Sequence, residues 1–334
     1  MNRVQNLETI VKSLGGGFIN LIDRGFVYGS QGKLLRRNIE SLWFDHCVTQ
    51  PPYNVFLTSS EKFSDTLATL YKTTINSLPF GLAFIEPTKS LWNCHLNSPS
   101  FESFSHDTAR ITVLTDEVNG KDMYHRKQRE RKVWWRKYSR NPSRFGIAEA
   151  KKIGKSRETI EIIANFSFGH IVVETITYQQ DARKVLAQSK EQKYGSSMVH
   201  VVEHIASLDW GCLAMLCDGY EVDDDNVGIL KIHPKLSPYK AGFYLEHDES
   251  TEDRKFQEKS RLIVYLNNLL KSKGLGTVLT RTKRGIEDFH VPLTINVDDS
   301  SLETGIVRVR SQLTTISEAV HVTDLPKYIA ARCA

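Results

Sequence analysis

Glu221-Val-Asp-Asp-Asp-Asn-Val-Gly228 divides this 334-residue chain into two stretches with different patterns. It is acidic, short and glycine-terminated, the composition of a linker. It sets the expected domains at 1–228 and 229–334. Downstream, Tyr239–Leu245 reads as a strand and 251–273 as a long amphipathic helix, with Phe256, Ile263, Leu266 and Leu270 on one side. Gly274-Leu-Gly276 ends that helix and Thr277–Thr280 starts another strand. Strands at 291–297 and 305–310 and a closing helix near 323–332 follow. Such alternation of strands and helices implies a compact α/β domain.

Upstream, Leu34, Leu35, Ile39, Leu42 and Trp43 form an apolar stripe that predicts a helix over 33–47. A second helix is expected over 60–76. The β-branched run at 109–114 predicts a strand. The spacing predicts a helix from about 122 to 139, stopped by Asn141-Pro142, because the residue before proline disfavours the helical region. A further helix is expected over 169–190. Val4, Leu7, Val11 and Leu14 repeat at helical spacing; Glu8 and the scarcity of arginine favour an ordinary amphipathic helix over an import signal.

The chain is 40% hydrophobic and 25% charged, ordinary values for a globular protein. No apolar run is long enough to span a membrane. Five cysteines (Cys47, Cys94, Cys212, Cys217, Cys333) at irregular spacing point to free thiols in a reduced compartment. Charge is unevenly placed. Lys121–Arg144 holds ten Lys/Arg against Asp122 and Glu130, a balance of +8, while the whole chain is +5. A concentrated basic stripe suits a polyanion partner, since each neutralised phosphate releases a counterion. Trp134, Trp135 and Tyr138 sit within the stripe at helical spacing and read as core anchors.

His200-Val-Val-Glu203-His204 matches the HxxEH pattern of inverted zinc proteases. Its valine-rich surroundings favour a strand, on which the two histidines share a face and Glu203 points the other way, so the metal site loses its base. Leu14-Gly15-Gly16-Gly17 lacks the Lys-Ser/Thr of a phosphate loop and reads as a turn. Asp223, Asp224 and Asp225 read as solvated linker carboxylates. Cys94-His95 and His46-Cys47 lack zinc-site spacing. No catalytic set and no metal or other cofactor is expected.

Several segments in order resemble the accessory subunit of the mitochondrial DNA polymerase, polymerase gamma. They are Gly25-Phe-Val-Tyr-Gly29 with Gly32, Leu34, Arg36 and Asn38; Leu78-Pro-Phe-Gly-Leu-Ala83; Trp134-Trp-Arg-Lys137 with Pro142-Ser143; Asn165-Phe166 with Gly169 and Glu174-Thr175; Leu230 to Lys240; and Leu302 to Ser311 with Thr314-Thr315. That family is similar in fold to class IIa aminoacyl-tRNA synthetases, particularly the glycine enzyme. The resemblance implies an α/β (α+β) protein, with a class II synthetase-like core on an antiparallel sheet and a C-terminal anticodon-binding-like α/β domain with a mixed sheet. Two departures matter. Phe84-Ile-Glu-Pro-Thr-Lys-Ser90 lacks the arginine of an FRxE-type motif, and Leu208-Asp209-Trp210-Gly211 lacks the arginine that holds ATP in the last class II motif. Without those guanidiniums ATP loses its bidentate clamps, which implies a core that makes no adenylate. Only about thirty residues separate Cys47 from Leu78, where some relatives carry a dimer-building insertion, so a monomer pairing 1:1 with one catalytic subunit is expected.

The resemblance thus implies a non-catalytic processivity subunit of the mitochondrial matrix nucleoid. It would bind the polymerase catalytic chain and strengthen its hold on primer-template DNA. The DNA-binding set is Arg126, Lys127, Arg129, Arg131, Lys132, Arg136, Lys137 and Arg140. Of these, Arg126, Lys127, Arg129, Arg131 and Lys132 are expected to be most exposed, whereas Arg136 and Lys137 are alternatively braces beside the tryptophans. The partner-binding set is Lys231, Lys235, Lys240, Arg308 and Arg310. The rival readings are a divergent glycine-type tRNA ligase and a tRNA-binding module without catalysis.

Overall fold

The structure, a computed structural model, describes residues 6–23, 25–74, 78–89, 92, 95–96, 105–154, 156–180, 199–222, 228–245 and 253–333. Cys94 and Asp223–Asp225 lie outside the described residues. The chain divides into two compact units, Met1–Val27 with Ile39–Asp218, and Tyr28–Asn38 with Gly219–Ala334. The division precedes the acidic stretch, and the second unit also takes an upstream segment. The acidic stretch joins two strands that pair with each other, β12 (Tyr220–Val222) and β13 (Gly228–Leu230). Asn38 anchors the upstream segment by donating from Nδ2 to the Leu236 and Ser237 carbonyls at 3.1 and 2.9 Å.

The first unit is built on a nine-stranded sheet. Its strands are β3 (Val55–Leu57), β4 (Phe80–Thr88), β5 (His95–Leu96), β6 (His106–Asp116), β7 (Phe145–Ile147), β8 (Lys151–Ile153), β9 (Arg157–Phe166), β10 (Gly169–Gln179) and β11 (Val199–Ser207). The order is β3-β4-β6-β11-β10-β9-β7, with β5 on β10 and β8 on β9. Every pairing is antiparallel except β3 with β4. The helix expected over 169–190 is instead β10 as far as Gln179, and residues 181–190 lie outside the described residues. Ile171, Val172, Val173, Thr175, Ile176 and Thr177 are β-branched, and such side chains pack better on a pleated surface than on a helix. β10 pairs on both sides, with β9 and with β11, and its apolar side chains are buried.

Helix α4 (Glu117–Tyr138) lies against β6, β7, β10 and β11. On the other face, Leu67 of α3 (Phe63–Thr74) packs with Phe80, Leu82, Leu114, Val199 and Val201. Helix α5 (Leu208–Gly219) follows β11 directly and is apolar nearly all round, so it is buried. Near the N-terminus, α1 (Leu7–Leu14) buries Leu7, Ile10, Val11 and Leu14, the short strands β1 (Ile19–Ile22) and β2 (Gly25–Tyr28) pair with each other, and α2 (Ser30–Phe44) follows.

The second unit has a mixed five-stranded sheet, ordered β15 (Thr277–Thr280), β14 (Ala241–Tyr244), β16 (Leu293–Asn296), β17 (Ile306–Ser311) and β18 (Ser317–His321). β14 runs parallel to both neighbours, and the β16–β17–β18 pairings are antiparallel. One face is covered by α6 (Asp253–Ser272) and α9 (Leu325–Cys333) through Ile263, Leu266, Leu270, Leu325 and Ile329. Burying a side chain of this size contributes about 1.5–3 kcal/mol. Two short helices, α7 (Lys283–Asp288) and α8 (Asp299–Thr304), and strand β18 lack a clear sequence signal. Each is short, so its period is undersampled.

Candidate nucleic-acid interface

The basic run folds as α4 because both ends are satisfied. The Asp116 carboxylate caps the first turn by accepting from Asn119 N at 2.8 Å, and Arg136 and Lys137 sit in the last turn, where the helix dipole favours cations. The inner face carries Met123, Tyr124, Lys127, Arg131, Trp134, Trp135 and Tyr138, all buried. Gly120 lies on the same face, where a Cβ would come 2.6 Å from His200 Nδ1, so this glycine lets the helix approach β11.

This placement splits the expected DNA-binding set. Arg126, Arg129, Lys137 and Arg140 are exposed, and Lys132 and Arg136 are half-buried. Arg131 and Lys127 are corrections. Arg131 is only 1% exposed and Lys127 only 7%, so neither reaches a phosphate. Three- and four-residue spacing puts both beside the aromatic residues on the inner face. Lys127 Nζ bonds Glu130 Oε2 at 2.8 Å and sits over the Tyr53 ring at 5.5 Å. Arg136 Nε donates to the Phe145 carbonyl at 2.8 Å, which braces the helix on β7.

Arg131 belongs to a buried ionic knot. Its Nε donates to both Glu174 oxygens at 2.9 and 3.0 Å, Trp135 Nε1 donates to Glu174 Oε2 at 2.8 Å, and His204 Nδ1 lies 3.1 Å from Glu174 Oε1. The guanidinium also lies 4.3 Å from the Trp134 ring centroid. Burial works against the Glu174 charge, but the Arg131 guanidinium and the His204 contact more than offset it and hold the carboxyl at about 2. Burial pushes the His204 imidazole down, and Glu174 only partly opposes it. Glu203 points to the opposite face, within 3.5 Å of Arg110 Nη1 and 3.3 Å of Thr112 Oγ1. The HxxEH residues therefore lie on both sides of β11 and form no common metal site.

At the start of α5, Trp210 is 2% exposed and meets Phe26 edge-on at 5.2 Å. Its backbone N donates to Ser207 Oγ at 3.1 Å, and that hydroxyl lies 2.9 Å from His106 Nδ1. A Cβ on Gly211 would collide with the Trp135 ring, which is itself tied to Glu174. Tryptophans thus fill the surroundings of the segment where a synthetase would carry its arginine. Gly211→Ala is expected to destabilise the first unit by up to about 2 kcal/mol: overpacking costs roughly 1–3 kcal/mol, and better helix propensity returns about 1. Urea unfolding followed by tryptophan emission measures this, and unchanged stability would mean that the indole yields freely.

In the second unit, Arg308 and Arg310 are exposed on β17 and alternate with inward Val307 and Val309. Lys231 Nζ bonds Glu221 Oε2 at 2.9 Å, and Lys235 is half-buried. Lys240 is a correction. Its Nζ donates to the Pro234, Lys235 and Ser237 carbonyls at 2.8, 2.8 and 3.1 Å, and burial lowers its pKa to about 8. It staples the turn before β14, an internal role.

A largely antiparallel sheet closed by a strand–helix pair, with a mixed α/β unit after it, is a class II synthetase-like scaffold. No protein-family profile matches the chain. Over 229 residues it is 25% identical to the mitochondrial DNA polymerase subunit gamma-2 of Drosophila melanogaster, covering 62% of this chain and 61% of that protein. It is 27% identical to the Xenopus laevis subunit, covering 61% of this chain and 49% of that protein. A glycine–tRNA ligase from Borrelia garinii is 28% identical over 138 residues, covering 39% of this chain and 30% of the ligase. The chain spans about half to three-fifths of the gamma-2 subunits it matches. The resemblance to the polymerase gamma accessory subunit, and through it to a synthetase-like fold, is borne out.

Proposed function

We propose that this chain is a non-catalytic accessory subunit of a mitochondrial DNA polymerase. It binds the catalytic subunit 1:1 as a monomer and strengthens its hold on primer-template DNA in the matrix nucleoid. The observation that carries this reading is the similarity to gamma-2 subunits across three-fifths of the chain. The absence of an arginine at Leu208–Gly211 and the tryptophan packing there support a core without adenylation chemistry. The exposed cations of α4 support a phosphate contact, and Arg308 and Arg310 on the anticodon-binding-like unit, with Lys231 and Lys235, support a protein contact. The effect is linkage: a longer-lived complex dissociates more slowly, with no bond made or broken by this chain.

Co-purification with the catalytic subunit, followed by primer extension under single-binding conditions, tests the proposal. The expected result is a 1:1 complex that copies longer tracts per binding event. A catalytic chain that neither retains this protein nor extends further with it overturns the proposal. Similarity to glycine–tRNA ligase favours a second reading, a tRNA ligase or tRNA-binding module. ATP–pyrophosphate exchange with glycine would establish the ligase. Preference for tRNA over primed DNA in competition would establish the binding module.

A further inference from the structure

Asp218 closes α5 with its side chain 1% exposed, and a buried carboxylate must be compensated. Its partners all belong to the exit of α4. Oδ2 accepts from Ser139 Oγ at 2.8 Å, from the backbone N–H of Arg140, and from Asn141 N at 3.2 Å. Oδ1 lies 3.5 Å from Arg144 Nη1, which is also 3.5 Å from the Cys217 carbonyl. Asn141 Nδ2 returns a bond to the Asp218 carbonyl at 3.2 Å.

The position is unusual for an acid. The C-terminal end of a helix carries partial negative charge and favours cations, so Asp218 is held there by the N–H groups of the turn and by Arg144. Arg136, Lys137, Arg140 and Arg144, four of the ten bases in the run, flank this turn in sequence, and Arg140 (through its backbone N–H) and Arg144 touch Asp218 itself. The Glu174 knot fixes the rotation of α4 near its middle, while Asp218 fixes where the chain leaves it.

We propose that Asp218 is a positioning residue for the phosphate-binding face. By gathering the exit turn, it sets the direction in which Arg140 and the last turn of α4 present charge. This rests on the DNA-binding reading of α4 given above.

The test is the salt dependence of duplex-DNA binding by the full chain. Each phosphate contact contributes about 0.9 to the slope of log K against log salt. A fall in the folded fraction shifts the affinity but leaves the slope in place, so the slope separates positioning from a purely structural role. Asp218→Ala is expected to reduce the slope by about 1–2, and Asp218→Asn, which keeps the shape and an acceptor oxygen, to restore most of it. Ser139→Ala combined with Asn141→Ala loosens the same turn without altering the buried carboxylate, and should reproduce the reduced slope should Asp218→Ala fail to fold. An unchanged slope in the turn variants overturns the inference. An unchanged slope when Arg126, Arg129 and Lys137 are reversed to glutamate instead overturns the DNA-binding reading beneath it.

Discussion

Replacing Glu174 with alanine is expected to destabilise the first unit by about 3–5 kcal/mol, because the Arg131 guanidinium is left charged, buried and without its counterion. Glu174 is 0% and Arg131 1% exposed, so water replaces neither partner. Trp135 Nε1 loses its acceptor in the same step. All five tryptophans (Trp43, Trp92, Trp134, Trp135, Trp210) lie in the first unit, so urea unfolding followed by selectively excited tryptophan emission reports on that unit alone. Pairing Glu174→Leu with Arg131→Met removes both charges and should recover most of the loss, since apolar replacement of a buried pair is often neutral. A loss below about 1 kcal/mol in the single variant would show the knot to be energetically idle. The pH dependence follows from the same group. The Glu174 carboxyl is held at about 2, below its ordinary 4.5, so its stabilisation is complete above pH 4.5 and is lost as the pH falls from there through 2. His204, held neutral by burial, adds a loss of stability that begins as the pH falls through 6.5, where the unfolded imidazole takes up its proton. Glu174→Ala should flatten the part between 4.5 and 2.

Reversing Arg126, Arg129 and Lys137 to glutamate is expected to weaken duplex-DNA binding on the order of a hundredfold at about 0.1 M salt and to lower the salt slope by about 3. All three are exposed on the outer face of α4. The stability cost should stay at about 1 kcal/mol per site, because Arg126 gives up its 3.4 Å ion pair with Glu130 and Lys137 its place at the helix C-terminus. The outer face presents arginine and lysine around Val133, which is 59% exposed. Such a face suits phosphates more than base edges, so the loss should be uniform across DNA sequences. Unchanged affinity and slope would remove α4 from the DNA interface.

Much of the fold is legible in the residues. Periodicity marks Ser30–Phe44, Phe63–Thr74, α4, α6 and α9, and the β-branched run marks β6. β10 is misread because a strand buried on both faces has no alternation to display. That error hides Glu174, and with it the reason for a buried Arg131. Within α4 the sorting signal is present: Tyr124, Trp134, Trp135 and Tyr138 define an inner face on which 127 and 131 also fall. Charge alone outweighs that signal when the run is read as a stripe. Asp218 carries no local signal, since its partners lie nearly eighty residues upstream.

Residue identity and order alone reveal the concentration of charge in one stretch, the lack of arginine at 84–90 and 208–211 and the resemblance to gamma-2 subunits. Which cations face outward and which are held by internal carboxylates is settled by packing, as Arg131 on Glu174 and Arg129 in solvent illustrate. A helix facing a sheet must turn one side inward, and whether a charge on that side survives depends on a counterion supplied by a distant strand.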